Sequence, residues 1–294
     1  MNILITGASS GFGKLIVSDL VGAGHRVVGS MRDIAGRNAQ AAADFKAMGV
    51  DVVEIDVTDD ASVAAGVARA ARTLGRIDAL INNAGVGAHG LQENFSADDF
   101  RRLFDINVFG VQRMIRAVLP DMRARGDGLI LNISSLLGRI ALPFYGPYNA
   151  SKWALEAMSE TYRAELSGFG VDVAVVEPGG FPTRFIDNLM QPSARDRDAG
   201  YGDMAGAPKA ALDGFEGFLA ANPQQDPQLV ADAVLAVLGT APGQRAFRTE
   251  VDRIGMAEPL QSYNAHLAQV TAGVFTSLGM ADMLTLNTAD QAAA

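Results

Sequence analysis

The sequence predicts an α/β fold of the doubly wound type, a parallel sheet with helices on both faces. Three observations carry this. Short, near-continuous apolar runs recur from residue 2 to residue 178, longer helix-like segments separate them, and a glycine-rich turn, "TGASSGFG" at 6–13, joins the first run to the first helical segment. Runs without polar alternation are what strands need when both faces are covered. Strand–helix alternation argues for parallel pairing through right-handed crossovers.

In chain order, strands are expected at "NILIT" (2–6), "RVVGS" (26–30), "DVVEID" (51–56), "IDALINNA" (77–84), "GLILNIS" (128–134) and "VDVAVVEP" (171–178), each rich in Val, Ile and Leu. Helices are expected near 11–23, 36–48, 60–74, 98–124 and 147–168. After Phe185 the composition shifts to Gly, Pro, Asp and Ala over 187–227, with helical patterning in "KAALDGFEGFLA". Residues 226–239 read as a helix capped by Asp226, with Pro227 in the first turn and Gly239 at the end. "QRAFRTEV" (244–251) reads as a last strand, and 255–294 as helical with a fraying end, "NTADQAAA". With no repeat and no Ser/Pro-rich linker, the expected division is one domain: residues 1–250 form its main body, including a loop at 184–226. Residues 251–294 form a helical C-terminal extension of it.

Composition narrows the function. The 294 residues are 49% hydrophobic and 19% charged, as in a globular protein with an ample core. A net charge of −9 speaks against a nucleic-acid surface. The absence of cysteine excludes disulfides, thiolate catalysis and cysteine-ligated zinc, and it fits a reducing compartment. The three histidines, His25, His89 and His266, match no metal-ligand spacing. No apolar stretch reaches the ~18 residues of a membrane span. "MNILITGASSG" has no basic n-region or long apolar h-region of a signal peptide. The expectation is a cytoplasmic protein without a membrane span.

The turn at 6–13 points to a cofactor. Gly7, Gly11 and Gly13 let the backbone turn tightly and approach a pyrophosphate, while the helix that follows presents free N–H groups to it. Standing alone, the spacing is weak. Its place between the first strand and the first helix is the context such motifs require. Here the chain resembles the short-chain dehydrogenase/reductase family, whose T-G-x-x-x-G-x-G motif is met by Thr6, Gly7, Gly11 and Gly13. The family's N-N-A-G stands as Asn82-Asn83-Ala84-Gly85, and its Asp beside the adenine as Asp56-Val57. The resemblance implies a Rossmann-type fold and a dinucleotide held by Gly7, Ser9, Ser10, Gly11, Phe12, Gly13, Asp56, Val57, Asn83, Ala84 and Gly85. Where NAD-binding members place an acid after the second strand, this chain has Met31 followed by Arg32. An arginine can pair with a 2′-phosphate through two hydrogen bonds. The expectation is therefore NADP(H) over NAD(H), against the alternative that Arg32 is a solvated side chain and Asp33 takes the acidic role.

"FYGPYNASK" (144–152) supplies a proton-transfer group. Tyr148 and Lys152 are four residues apart, one helical turn, with Cβ atoms ~5–6 Å apart. Tyr145 is seven residues from Lys152, and Pro147 suits a first helical position, so the helix starts between the two tyrosines. A phenol with pKa near ~10 needs ~4 kcal/mol of preference for phenolate to reach the neutral range. One positive charge ~4 Å away, at an effective dielectric of ~20, supplies about that. The lysine is thus expected to lower the tyrosine's pKa.

The remaining roles follow from the resemblance. The family places a serine thirteen residues before its tyrosine, which selects Ser135; the residues alone do not separate it from Ser134. Its asparagine, in a motif like "NVFG" (107–110), is Asn107, implied to hold a water that links the lysine to solvent. A competing role for Asn107 is a polar side chain bonded to backbone. Asn107, Ser135, Tyr148 and Lys152 thus form the implied catalytic set. Tyr148 and Lys152 also touch the cofactor, and Pro178, Gly179 and Thr183 of "EPGGFPT" cradle its nicotinamide. "LPFYGPYNASKWALEAMSETYRAEL" resembles the branch of 17β-hydroxysteroid and retinol dehydrogenases. Ser135, Tyr145, Tyr148 and Phe185 are the expected substrate contacts. Phe185, Ile186, Leu189 and Met190, at helical spacings, suit either a pocket wall or a helix packed on the core, and Leu136, Leu142, Phe144 and Tyr145 are further candidates for the wall.

These readings imply an NADPH-dependent interconversion of a lipophilic carbonyl and a secondary alcohol. The competing classes are a non-catalytic NADP(H)-sensing protein, which has no need of all four site residues, and a nucleotide-sugar epimerase, whose glycine spacing differs. The long helices at 98–124 and 147–168 pair between subunits in the family, which implies a homodimer or homotetramer.

Overall fold

The computed structural model describes residues 1–287, so the tail expected to fray lies almost wholly outside the described residues. Seven strands form one parallel sheet: β1 (Asn2–Ile5), β2 (Arg26–Met31), β3 (Asp51–Glu54), β4 (Ala79–Asn82), β5 (Gly128–Ile133), β6 (Val171–Pro178) and β7 (Arg248–Val251). Their order is β3-β2-β1-β4-β5-β6-β7. All the expected strands are present, the last of them limited to Arg248–Val251, so the fold is the doubly wound one the sequence predicts.

Side chains alternate faces along each strand. Ile3, Ile5, Ala79, Ile81, Leu129 and Leu131 pack under α1 (Gly11–Gly22), α2 (Ala39–Ala47) and, much later in the chain, α8 (Gln228–Gly239). Leu4, Val28, Leu80, Ile130 and Val173 pack under α3 (Asp60–Leu74), α5 (Gly110–Arg125) and α6 (Gly146–Ser167). Asp59 caps α3 by accepting from Ser62 N at 2.6 Å, and Asp226 accepts from Gln228 N at 2.9 Å at the start of α8.

Two expected helices are divided. The segment at 98–124 is α4 (Ala97–Phe104), a π-helical turn (Asp105–Phe109) and α5. The wide turn aims Asn107 at the end of β4, and Gly110 has room only for a hydrogen, because a Cβ would lie 2.8 Å from Val57 Cγ2. The C-terminal segment is α9 (Ala257–Ser277) and a single 3₁₀ turn (Ala281–Leu284), parted near Gly279 with φ +71°.

The stretch at 184–226 is ordered in pieces. A 3₁₀ turn (Ile186–Asn188) leads to a single bridge between Met190 and Ala88, then irregular turns, then α7 (Ala207–Ala221). Phe185, Ile186, Leu189 and Met190 therefore do not share one helix, since Leu189 is extended.

Candidate active site

The strand order reverses between β1 and β4, and a crevice opens there at the carboxyl ends of the strands. The glycine turn sits in it. Gly7 has φ +66°, and a Cβ there would stand 2.7 Å from Ala84 Cα; a Cβ on Gly13 would stand 2.3 Å from Gly7 O. The N-N-A-G segment braces this turn. Asn83 Nδ2 donates to Thr6 O and Gly7 O, both at 3.0 Å, while Thr6 Oγ1 accepts from Asn83 N and Ala84 N. Ser10, at the N-cap of α1, makes no side-chain cap bond, so the helix start keeps N–H groups for an anion. Side chains fill neither Gly11 nor the space before it, whose nearest neighbour is Thr183 Cβ at 3.8 Å. This backbone cradle fits a pyrophosphate.

At the far end of the crevice, Met31 is buried and Arg32 is exposed, with Nη1 3.8 Å from Asp56 Oδ2. Burial pushes the Asp56 carboxyl up, but hydrogen bonds from Thr58 and the Arg32 guanidinium outweigh it and hold the group below its ordinary range. Val57 packs against Gly110. Asp33 has φ +49°, and its carboxylate accepts from Arg37 N at 2.8 Å, turned into its own loop.

The candidate catalytic residues converge between β5, α6 and the π turn. Tyr145 is the N-cap of α6, Pro147 lies in its first turn, and Tyr148 and Lys152 follow on one face. Both are buried. Lys152 Nζ donates to Ile133 O at 2.8 Å and lies 5.7 Å from the centre of the Tyr148 ring. Ser135 Oγ accepts from Leu137 N and lies 3.4 Å from Pro178 O. Asn107 donates to Val86 O at 2.8 Å and Ser151 Oγ at 3.0 Å and accepts from Val86 N at 2.9 Å, so this side chain braces the loop after Gly85.

The expected lowering of the tyrosine is reversed in the protein alone. Burial pushes the Tyr148 phenol up to about 12, although the Ser135 hydroxyl beside it favours phenolate. Burial also lowers Lys152 to about 8, against the pull of Glu156. In both groups desolvation is the largest cause of the shift. The same hydroxyl contact is what separates Ser135 from Ser134, whose Oγ is buried without a hydrogen-bond partner.

These groups form the floor of a cavity of about 420 Å³. Leu136, Leu142, Phe144 and Tyr145 form one wall and Phe185, Ile186 and Leu189 another; Gly179 and Thr183 face it from the end of β6. Met190 does not line it. Phe144 has φ +69°, a strained conformation for an aromatic residue, and its carbonyl accepts from Gly90 N at 2.8 Å. Phe215 and Ala211 of α7 and Met256 before α9 also line the cavity and carried no signal in the sequence. "PGG" did carry one: Asp252 lies against Gly179, and Phe215 against Gly180, where a Cβ would stand 2.1 Å from the ring. A second hollow, of about 680 Å³, runs over the first turns of α1 past Lys14 and Arg184, and Thr183 and Ile186 line both. No helix among the described residues is long and apolar enough to cross a membrane, and no cluster of metal-ligating side chains occurs among them.

The sequence profile of the short chain dehydrogenases matches residues 1–193. A 3-ketodihydrosphingosine reductase from Bacteroides thetaiotaomicron is 39% identical over 201 residues, which is 68% of this chain and 71% of that protein. Human 17-beta-hydroxysteroid dehydrogenase type 1 is 34% identical over 270 residues, 84% and 77% of the two chains. Human retinol dehydrogenase 8 is 37% identical over 193 residues, 64% and 61%. Among solved structures, a short-chain dehydrogenase from Streptomyces avermitilis superposes with a TM-score of 0.74 at 29% identity, over 94% of this chain and 97% of that one. An actinorhodin polyketide ketoreductase with NADPH (TM-score 0.68, 28% identity, 85% and 95% covered) is also similar. So is a short-chain dehydrogenase/reductase from Burkholderia phymatum with NAD (0.71, 25%, 95% and 95%). The chain therefore belongs to the short-chain dehydrogenase/reductase family, on the side of its 17β-hydroxysteroid and retinol dehydrogenases.

Proposed function

We propose that this chain is an NADPH-dependent reductase of a lipophilic ketone or aldehyde. The observation that carries the reading is the convergence of Ser135, Tyr148 and Lys152 on the floor of an apolar cavity beside the glycine cradle. The hydride is what a nicotinamide dinucleotide contributes when bound. Gly7, Ser9, Ser10, Gly11, Phe12 and Gly13 would hold its pyrophosphate, Asp56, Val57, Asn83, Ala84 and Gly85 its adenosine side, and Pro178, Gly179 and Thr183 its nicotinamide side. The protein's own part is to place the carbonyl and move one proton. Ser135 Oγ hydrogen-bonds the carbonyl oxygen, and Tyr148 Oη donates the proton that turns the growing alkoxide into an alcohol. A phenol held up near 12 is protonated at neutral pH, as a proton donor must be. Lys152 supplies positive charge as the phenol gives up its proton.

Preference for the phosphorylated cofactor rests on Arg32. No acid occupies the Met31 position, and Asp33, the alternative, has its carboxylate engaged by Arg37 N. The lipophilic substrate rests on the walls, in which Lys152 is the only charged residue. The sphingoid and steroid substrates named for two of the relatives agree with this.

The test is NADPH oxidation with a panel of aldehydes, ketones and ketosteroids, and NADH in parallel. NADPH should be preferred. Arg32→Ala should raise KM for NADPH by about 10–100-fold, the loss of one or two charge-assisted hydrogen bonds, and leave NADH unaffected. Equal use of both cofactors by the wild type and by Arg32→Ala would sink the cofactor assignment.

A further inference from the structure

The segment that closes the cavity at the end of β6 is held from behind by residues the proposed chemistry does not use. Neither Gly179 nor Gly180 has a positive φ, so it is close approach, not backbone conformation, that calls for glycine at both. A Cβ on Gly179 would stand 2.5 Å from Asp252 Oδ1. Gly179 N donates to Val251 O at 2.9 Å, beside the last β6–β7 pair, Pro178 with Val251. Gln225, between α7 and α8, is 1% exposed, and both polar atoms of its side chain are engaged. Its Nε2 donates to Gly180 O at 2.8 Å and to Asp252 Oδ1 at 3.0 Å, and its Oε1 accepts from Arg253 N at 2.7 Å. The other oxygen of Asp252 accepts from Ile254 N at 3.1 Å and from Met256 N at 2.8 Å, just ahead of α9. On its opposite side the same segment faces the cavity, which Gly179, Gly180, Phe181 and Thr183 line.

We infer that Gln225 and Asp252 are positioning residues for the nicotinamide end of the cofactor: they fix the Gly179–Gly180 backbone from the side away from the cavity, so that the ring meets a segment already in place. The inference rests on the reading of Pro178, Gly179 and Thr183 as the nicotinamide side. Neither Gln225 nor Asp252 lines the cavity, so both act through the backbone between. Two adjacent glycines left unheld have many conformations open to them. A ligand that binds an unheld segment must order it, and a ligand that meets an ordered one is spared that loss. Without Gln225, Gly180 O and Asp252 Oδ1 lose their donor, and a buried acceptor so deprived drives its segment to rearrange. The effect is confined to one end of the cofactor site. The glycine turn at the pyrophosphate end is braced by Asn83 and Thr6, through hydrogen bonds in which neither Gln225 nor Asp252 takes part.

The test compares two ligands that differ by the nicotinamide. Kd is measured by calorimetry for NADPH and for 2′-phospho-ADP-ribose, with NADH and ADP-ribose in parallel, so that the result does not depend on Arg32. In the wild type the complete dinucleotide should bind the more tightly of each pair. Gln225→Met keeps the length of the side chain and removes its donors and its acceptor. It should weaken the complete dinucleotide about tenfold, while the nicotinamide-free ligand stays within about twofold of wild type. Asp252→Asn keeps the shape of the side chain and turns one acceptor into a donor. The same selective loss should follow, of about threefold. A general defect of folding would weaken both ligands alike. Equal loss of both, or no loss of the dinucleotide, overturns the inference; should Gln225→Met not fold, Asp252→Asn decides. A wild type that binds both ligands of a pair equally also overturns it, since the segment then holds no nicotinamide. A wild type that binds neither is a different failure, which removes the cofactor reading itself and the inference with it.

Discussion

At the scale of single residues, the floor of the cavity holds its ionisable groups away from their solution behaviour, and Lys152 is the one with a measurable consequence for stability. Its folded pKa, about 8, lies below the ordinary 10.5, so between those values the unfolded chain binds more protons than the folded one. Stability therefore rises with pH across that window, and the penalty is fully present below it. Lys152→Met should remove this penalty of roughly 3 kcal/mol and lose one hydrogen bond, to Ile133 O, worth about 1 kcal/mol. Chemical denaturation at pH 7 should show the variant about 2 kcal/mol more stable than the wild type. Repeated near pH 10, the difference should shrink. A destabilised variant at pH 7, or a difference independent of pH, would contradict the burial of a charged lysine.

At the scale of elements, the glycine turn and the segment after β4 act as one piece. Asn83 is bonded to the carbonyls of Thr6 and Gly7, and Gly13 packs against both partners of that bond. Gly13→Ala forces a Cβ to within 2.6 Å of Asn83 Nδ2. The turn must shift, at a cost of about 1–3 kcal/mol. Thermal melting should register the loss, and the Kd for NADPH, followed by its fluorescence, should rise tenfold or more. Unaltered binding would mean that the cradle is not the phosphate site.

The strands were legible in the sequence because apolar runs without alternation belong to a sheet covered on both faces. The start of α6 was legible because Pro147 permits only a first-turn position. The break at Asp105–Phe109 was not, because it arises from the bonds of Asn107 to Val86 and Ser151, which are distant in sequence. Phe215 and Met256 were missed for a similar reason: they reach the cavity only after the chain has returned from α7 and β7. The sign of the Tyr148 shift was missed because sequence gives the spacing of charges but not the depth of their burial.

At the scale of the whole molecule, the sheet gathers one site from both ends of the chain. β1 and β4 bring the glycine cradle, β5 and α6 the serine, tyrosine and lysine, and the last strand and helix close over them. Asp252, just past β7, accepts from Gln225 Nε2 at 3.0 Å and from Met256 N at 2.8 Å, and Gln225 donates to Gly180 O at 2.8 Å. This clasp ties the C-terminal segment to the loop expected beside the nicotinamide. The central claim is that such an assembly delivers a proton from Tyr148 to a carbonyl. It is tested most directly by kcat and NADPH binding of Tyr148→Phe, measured with whichever carbonyl the panel identifies. The ring and its packing against Phe185, at 5.5 Å, are kept, and only the hydroxyl is lost. The prediction is a fall in kcat of about 10²–10⁴-fold with the Kd for NADPH within about twofold of wild type; a variant that turns over at the wild-type rate would contradict the account.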